Sequence, residues 1–188
     1  MYFDDRTYFA NALVCENGHL ISGDLRKFPS GSRYCPQCQA PILNSCPHCR
    51  APIHGTQYMI SISRNFAEGA GPSDLFPDVP LYQRNEKEYK EAHVDAYCPY
   101  CGKPYPWTEK LLDEADQIVD LMDELTDEQK KQLKATFPDL IGETPHAQSS
   151  ACLAASILHA VSDIGASALR RVLEDKISDV LSALLGWK

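Results

Sequence analysis

The chain has 188 residues, with 26 Asp and Glu against 18 Lys and Arg, a formal net charge of −8 and a pI of about 5.2. That length holds one ordinary domain or two small ones, and no run of about 18 apolar residues gives reason to expect a membrane-spanning helix. The acidic balance counts against general nucleic-acid binding, which rests on Lys and Arg neutralising phosphates.

Composition changes along the chain. Residues 1–107 are rich in Cys, Pro, Tyr and Gly and hold ten basic and eleven acidic side chains, whereas residues 108–188 are rich in Leu, Ala, Ile, Asp and Glu and hold eight and fifteen. A domain boundary is therefore expected near Trp107–Thr108. The first half is too poor in apolar residues to fold unaided, which is the situation in which small domains recruit metals. Its start, MYFDDRTYFANALVC, has neither the basic n-region nor the apolar h-region of an export signal. A cytoplasmic setting with reduced thiols is the expectation, and there paired cysteines read as metal ligands rather than disulfides.

In chain order, TYFANALV (7–14) reads as a strand leading into the first knuckle, CENGH, with Gly18 supplying the freedom its turn needs. HLISGDL returns, and RKFPSGSRY is a polar loop that leads to CPQC. Seven residues then separate Cys38 from Cys46 of CPHC. Residues 58–63, YMISIS, alternate in the manner of a strand. Residues 67–80 hold two Gly and three Pro and read as an irregular excursion. RNEKEYKEAH (84–93) fits either a solvated helix or a hairpin edge, and the chain re-enters at CPYC.

The second half reads as helical. Thr108 is the expected N-cap of a helix with an apolar stripe at Leu111, Leu112, Ala115, Ile118, Val119 and Met122. Thr126 starts a second helix that Pro138 is expected to close, so 108–140 form an acidic helical pair. GETPHAQSS is a linker. From about Ser150, apolar residues at steps of mostly three and four predict amphipathic helices over 150–186, with Gly165 as the break. The fold class is therefore α+β: an N-terminal tandem zinc-ribbon module of small β-hairpins, then an α-helical region.

The chemistry sits in the knuckles. Cys15 and His19, Cys35 and Cys38, Cys46 and Cys49, and Cys98 and Cys101 make eight ligands and use seven of the eight cysteines. Zinc asks for four such ligands. Sequential pairing puts Cys15, His19, Cys35 and Cys38 in one site and Cys46, Cys49, Cys98 and Cys101 in the other. The rival pairing joins Cys35, Cys38, Cys46 and Cys49, and leaves Cys15, His19, Cys98 and Cys101. Two structural Zn2+ ions are expected, with a single iron at the all-cysteine site as the minor alternative. Four protein ligands leave no open position for hydrolytic chemistry.

Other residues have plainer readings. His48 is expected to face solvent; His54 and His93 flank the second site and are expected to be loop residues, with hydrogen-bond donation to its ligands as the alternative. Trp107, in the KPYPW cluster, is expected to plug the join between the halves. Cys152 is expected to be a small buried apolar residue rather than a nucleophile. The acidic run from Glu109 to Glu128 reads as a solvated helix face, and the terminal stripe as bundle core or an oligomer seam.

The strings CENGHLIS, CPQCQAPI, CPHCRAPIHG and YCPYCGKPYPWTE, followed by EADQIVDLMDELTDEQK, resemble an uncharacterised bacterial family of small double zinc-ribbon proteins. The resemblance spans roughly residues 10–140. It implies the ligand set, the fold and a bacterial cytoplasm, and brings no activity with it. With closed sites and no legible catalytic constellation, the functional expectation is a non-catalytic adaptor that binds an unidentified protein partner and self-associates through 150–186. The alternatives are a nucleic-acid-binding regulator, with Arg26, Lys27, Arg33 and Arg50 gathered on one face, and a thiol redox or zinc-release switch.

Overall fold

The computed structural model describes residues 4–28, 32–64 and 82–187. It is an α+β protein, with small antiparallel sheets toward the N-terminus and helices after them. Contacts divide it into two compact units, Met1–Asp95 and Ala96–Lys188. The excursion expected at 67–80 lies outside the described residues.

The first unit carries β1 (Asp4–Asn11), β2 (Leu13–Cys15), β3 (Leu20–Ser22), a 3-10 turn at Leu25–Lys27, β4 (Ile42–Leu43), β5 (His54–Arg64) and β6 (Tyr82–Lys90). These form two antiparallel sheets ordered β1-β5-β6 and β3-β2-β4. Ala12 to Cys15 are buried, with Ala12, Val14 and Cys15 fully so, which roots the first knuckle in a buried strand. Where β3 leaves its sheet, Gly23 passes against Gly55, and Thr56 N–H donates to Gly23 O at 2.8 Å. Residues 84–90, ambiguous in the sequence, form part of an edge strand that pairs along β5 from Gln57↔Lys90 to Arg64↔Tyr82. The charged side chains at 86–90 are exposed, which is how an edge strand discourages further pairing.

One face of the larger sheet is clamped by the 3-10 turn. Tyr8 lies opposite Tyr58, and Tyr58 opposite Glu88. The two rings stack at 5.6 Å, and the Arg26 guanidinium lies 5.7 and 5.2 Å from their centroids. Arg26 also binds the buried Asp24 carboxylate at 2.8 Å and Glu86 at 2.8 Å, while Lys27 pairs with Glu88. The Arg26 guanidinium beside Asp24 holds that carboxyl down at about 2.

The second unit opens with a short hairpin bridged at Tyr97↔Pro104. It continues through α1 (Pro106–Asp120), α2 (Asp127–Gly142), α3 (Ala147–Leu158), α4 (Asp163–Leu173), a 3-10 turn at Glu174–Lys176 and α5 (Asp179–Leu184). Its core joins Val119, Met122, Leu133, Phe137, Leu140, Ile157, Leu169 and Leu173 with the Trp187 ring. The contact division falls ahead of the compositional shift at Trp107–Thr108. Ala96 and Tyr97 pack on the helical core, and Tyr105 N–H and Thr108 Oγ1 both donate to Ala96 O, at 3.0 and 2.7 Å. The last knuckle is thereby fastened to the helices.

Three local readings are corrected. The first helix starts at Pro106 with Tyr105 as N-cap. Proline suits the first helical position because its missing N–H is an orphan there anyway, and Thr108 spends its hydroxyl on Ala96 instead of capping. The second helix has the expected start: Thr126 Oγ1 accepts from Gln129 N–H, and the Gln129 side chain accepts from Thr126 N–H, a capping box. It does not stop at Pro138 but runs on to Gly142. Burying Leu140 and Ile141 beyond the proline outweighs the one backbone bond it removes. The terminal stripe breaks at His159–Ser162, and Gly165 lies inside α4. A Cβ at Gly165 would sit 3.0 Å from Val161 Cγ1 and 3.4 Å from Met122 Cγ, so this glycine serves close packing.

Candidate metal centres

The three Cys-x-x-Cys knuckles are one turn used three times. In each, the residue after the second cysteine donates its N–H to the first cysteine's carbonyl: Gln39 to Cys35, Arg50 to Cys46 and Gly102 to Cys98, all at 2.8 Å. In each, the first cysteine's N–H reaches forward to the residue two beyond the second cysteine, at 2.8–2.9 Å. A bridge to the following proline closes the turn, at Tyr34↔Pro41, Ser45↔Pro52 and Tyr97↔Pro104. The turn forces a left-handed residue after the second cysteine, with φ of 59° at Gln39, 63° at Arg50 and 70° at Gly102. Written out, the repeat is CPQCQAP, CPHCRAP and CPYCGKP. Sequence reading stopped at the cysteine pairs and missed this longer unit, whose signal is the proline three residues past the second cysteine.

The CENGH turn is built differently. Gly18 takes φ 83° and donates its N–H to Cys15 O at 2.8 Å. Cys15 N–H donates to His19 O at 3.0 Å, and His19 N–H to Cys15 Sγ at 3.3 Å. The extra residue between the ligands lets an imidazole reach a point that a thiolate reaches in the shorter turn.

Cys15, His19, Cys35 and Cys38 come together as one group, with their ligand atoms all within 4.8 Å of one another. His19 Nδ1 lies 3.5 Å from Cys15 Sγ, 3.7 Å from Cys35 Sγ and 3.3 Å from Cys38 Sγ, and Cys15 Sγ lies 3.7 Å from Cys38 Sγ. A tetrahedral zinc ion with bonds of about 2.3 Å to sulfur and 2.0–2.1 Å to nitrogen sets ligand–ligand edges of about 3.5–3.8 Å. The donor set and its spacing fit that ion. Cys15 and Cys35 are buried and His19 and Cys38 half-buried. Burial pushes the Cys15 thiol up, whereas the Ala40 N–H directed at Cys38 draws that thiol down. Asn17 Nδ2 adds a side-chain donor 3.5 Å from Cys38 Sγ; sequence reading passed over it.

Cys46, Cys49, Cys98 and Cys101 form the second group, again with ligand atoms all within 4.8 Å. Here Cys46 and Cys98 are buried and Cys49 and Cys101 exposed. Both groups are those of sequential pairing.

The remaining candidates stand apart. His48 is exposed in its turn and His93 is exposed after β6. His54 is not a loop residue but opens β5, paired with Asn11; it stacks on Phe9 with centroids 4.3 Å apart, and its Nδ1 lies 3.9 Å from Asp95 Oδ2. Trp107 is buried and stacks on Tyr105 at 4.5 Å. Cys152 is exposed, a correction: α3 buries Ala147, Ser150, Ala151, Ala154, Ile157 and Leu158, which turns position 152 outward. Of the four basic residues expected on one face, Arg33 and Arg50 are exposed in knuckle turns, while Arg26 and Lys27 are tied to carboxylates. No helix among the described residues is long and apolar enough to cross a membrane.

No curated protein and no solved structure matches the chain. The family described as "Uncharacterized protein conserved in bacteria (DUF2321)" matches over residues 8–69 and 81–184. With the matched segments taking in both four-donor groups and the helices that follow, the chain belongs to this bacterial family.

Proposed function

We propose that this chain is a non-catalytic adaptor of the bacterial cytoplasm, held in shape by two structural Zn2+ ions and working by binding protein. Cys15, His19, Cys35 and Cys38 hold one ion, and Cys46, Cys49, Cys98 and Cys101 the other. The observation that carries this reading is the tetrahedral spacing of four protein donors, His19 Nδ1 and the sulfurs of Cys15, Cys35 and Cys38, which leaves no ligand position for substrate or water. Zinc supplies charge neutralisation among thiolates and on the order of 10–16 kcal/mol toward folding in small modules. The pairing of Arg26 and Lys27 with Asp24, Glu86 and Glu88 favours a protein partner over nucleic acid, because cations already committed to carboxylates neutralise few phosphates. Exposed Leu153, Val180 and Leu184 in the terminal helices support self-association through 150–186.

The test is capture from native cells with tagged full-length protein, run with nuclease and with a chelator, beside elemental analysis of the purified chain. Two zinc per chain and a defined protein partner that survives nuclease but is lost on chelation are expected. One metal or none, or enrichment that vanishes with nuclease, overturns the reading. The exposed thiols of Cys49 and Cys101 favour a second reading, in which oxidation releases metal and loosens the fold. Mild peroxide that leaves two zinc bound disposes of it.

A further inference from the structure

Among the large apolar side chains with described exposure, the two most exposed are Leu121, at 81 %, and Ile164, at 84 %. They are far apart in sequence and come from neighbouring segments of the helical unit. A Cβ on Gly165 would lie 3.4 Å from Met122 Cγ, and Ser162 N–H donates to Glu124 Oε1 at 3.4 Å. These two contacts run in opposite directions along the two segments, 122 with 165 and 124 with 162. The turn after α1 and the first turn of α4 therefore lie side by side and antiparallel. Met122 faces inward, and Leu121 and Ile164, each one residue from the contact, face out together. Single exposed apolar residues need no explanation, but a juxtaposed pair this far out of the protein marks an interaction surface.

The charge around the pair says what covers it. Residues 120–128, DLMDELTDE, hold five acids and no Lys or Arg, and residues 157–169 hold Asp163 and no Lys or Arg. Lys134 reaches Asp120 at 2.7 Å and neutralises it. That leaves Asp123, Glu124 and Asp163 exposed around the pair. The Ser162 hydrogen bond, with smaller help from Lys130, holds the Glu124 carboxyl below the usual range, and Lys130 itself is turned to the Asp120 carbonyl at 2.8 Å.

We propose that Leu121 and Ile164 form an acid-rimmed apolar docking surface for a cationic amphipathic segment of a partner protein, one that presents Leu-like side chains on one face and Lys or Arg beside them. Apolar contact supplies the anchor, and the carboxylates select charge and set register. The inference rests on the adaptor reading and names the partner chemistry for the helical unit.

The test uses full-length protein and a fluorescent peptide built only of Lys and Leu at helical spacing, followed by fluorescence anisotropy. Leu121→Ser with Ile164→Ser is expected to weaken binding by about tenfold or more, while Tyr89→Ser, at an exposed aromatic site in β6, leaves it unchanged. Asp123→Asn with Asp163→Asn is expected to weaken binding and flatten its salt dependence. Exposed apolar-to-Ser changes leave the fold intact, which ellipticity at 222 nm checks. Equal weakening by Tyr89→Ser, or none from the Leu121 and Ile164 pair, overturns the proposal. So does light scattering in which that pair of changes alone converts a dimer to a monomer, because the surface then belongs to a second copy. Chelation separates the two readings: peptide binding that survives it while zinc and captured partner are lost speaks for this surface, and peptide failure with two zinc and a partner retained removes this surface alone.

Discussion

Asn17 Nδ2 sits 3.5 Å from Cys38 Sγ and so joins the CENGH turn to the CPQC turn across the first metal centre. Cys38 is the half-buried cysteine of that group, and its sulfur faces both the Ala40 N–H and this amide. Donors directed at a thiolate spread its charge and hold it on the metal. Asn17→Ala is expected to lower metal affinity about tenfold or more, read as faster zinc loss to a chromogenic chelator. Loss from the second centre should keep its wild-type rate. If both phases accelerate equally, the Asn17 amide is not acting on Cys38.

The pairing of ligands gives a sharper expectation. Cys15 and Cys38 belong to one group with sulfurs 3.7 Å apart. Cys15→Ala and Cys38→Ala should each reduce bound zinc from two to one per chain, and the double variant should lose no more than either alone, since residues that act as a unit are not additive. Cys15→Ala combined with Cys98→Ala should remove both ions. Elemental analysis of the three proteins after gel filtration decides it.

Much of the donor geometry was legible because a short turn between two such residues is a local device: residues 35–38, 46–49 and 98–101 carry their own geometry wherever they sit. What joined which knuckle was less so, since Cys15 meets Cys38 through non-local contacts, the β2–β4 pairing and the Glu16 N–H to Pro41 O bond among them. The helical readings failed where packing overrode a local rule. Pro138 lies inside a helix because Leu140 and Ile141 beyond it are buried, and Gly165 sits inside a helix at a packed position, where a Cβ would come 3.0 Å from Val161 Cγ1. The strand at Tyr82–Lys90 was ambiguous because YQRNEKEYK has no apolar alternation to read; its partner β5 decides it. Asn17 had no sequence signal, because its role depends on a sulfur 21 positions away.

Among the described glycines of the first unit, Gly55 has the closest backbone approach. A Cβ there would lie 2.0 Å from Gly23 O and 3.0 Å from Ala10 O, both backbone atoms that cannot swing aside. Gly55→Ala is expected to destabilise the protein by about 3 kcal/mol. Gly102→Ala is the comparison: nothing lies within 4 Å of its Cβ, and only its φ of 70° is unfavourable. That change should cost about 1 kcal/mol. Thermal unfolding with zinc in excess ranks the two; a larger loss from Gly102→Ala would contradict the close approach of Gly23 and Gly55.

The helical unit should carry an acid-sensitive joint at Asp139. Its carboxylate accepts from Thr144 Oγ1 at 2.6 Å and Ser150 Oγ at 2.9 Å, which ties the end of α2 to the first turn of α3. The Thr144 hydroxyl, then that of Ser150, holds the Asp139 carboxyl below the usual range. A folded-state value below the unfolded one means the stabilisation is present above the ordinary carboxylate pKa of about 3.9 and is lost as pH falls through the lower folded value. Asp139→Ala leaves the Ser150 hydroxyl without this acceptor and should cost about 2 kcal/mol at pH 7. Asp139→Asn keeps an acceptor oxygen but not the charge, and should cost less while removing this residue's share of the pH dependence. Ellipticity at 222 nm during urea unfolding, compared at pH 6 and pH 3, measures both. Wild type should lose more stability than Asp139→Asn over that interval; parallel losses would show that the joint does not depend on the ionised carboxylate.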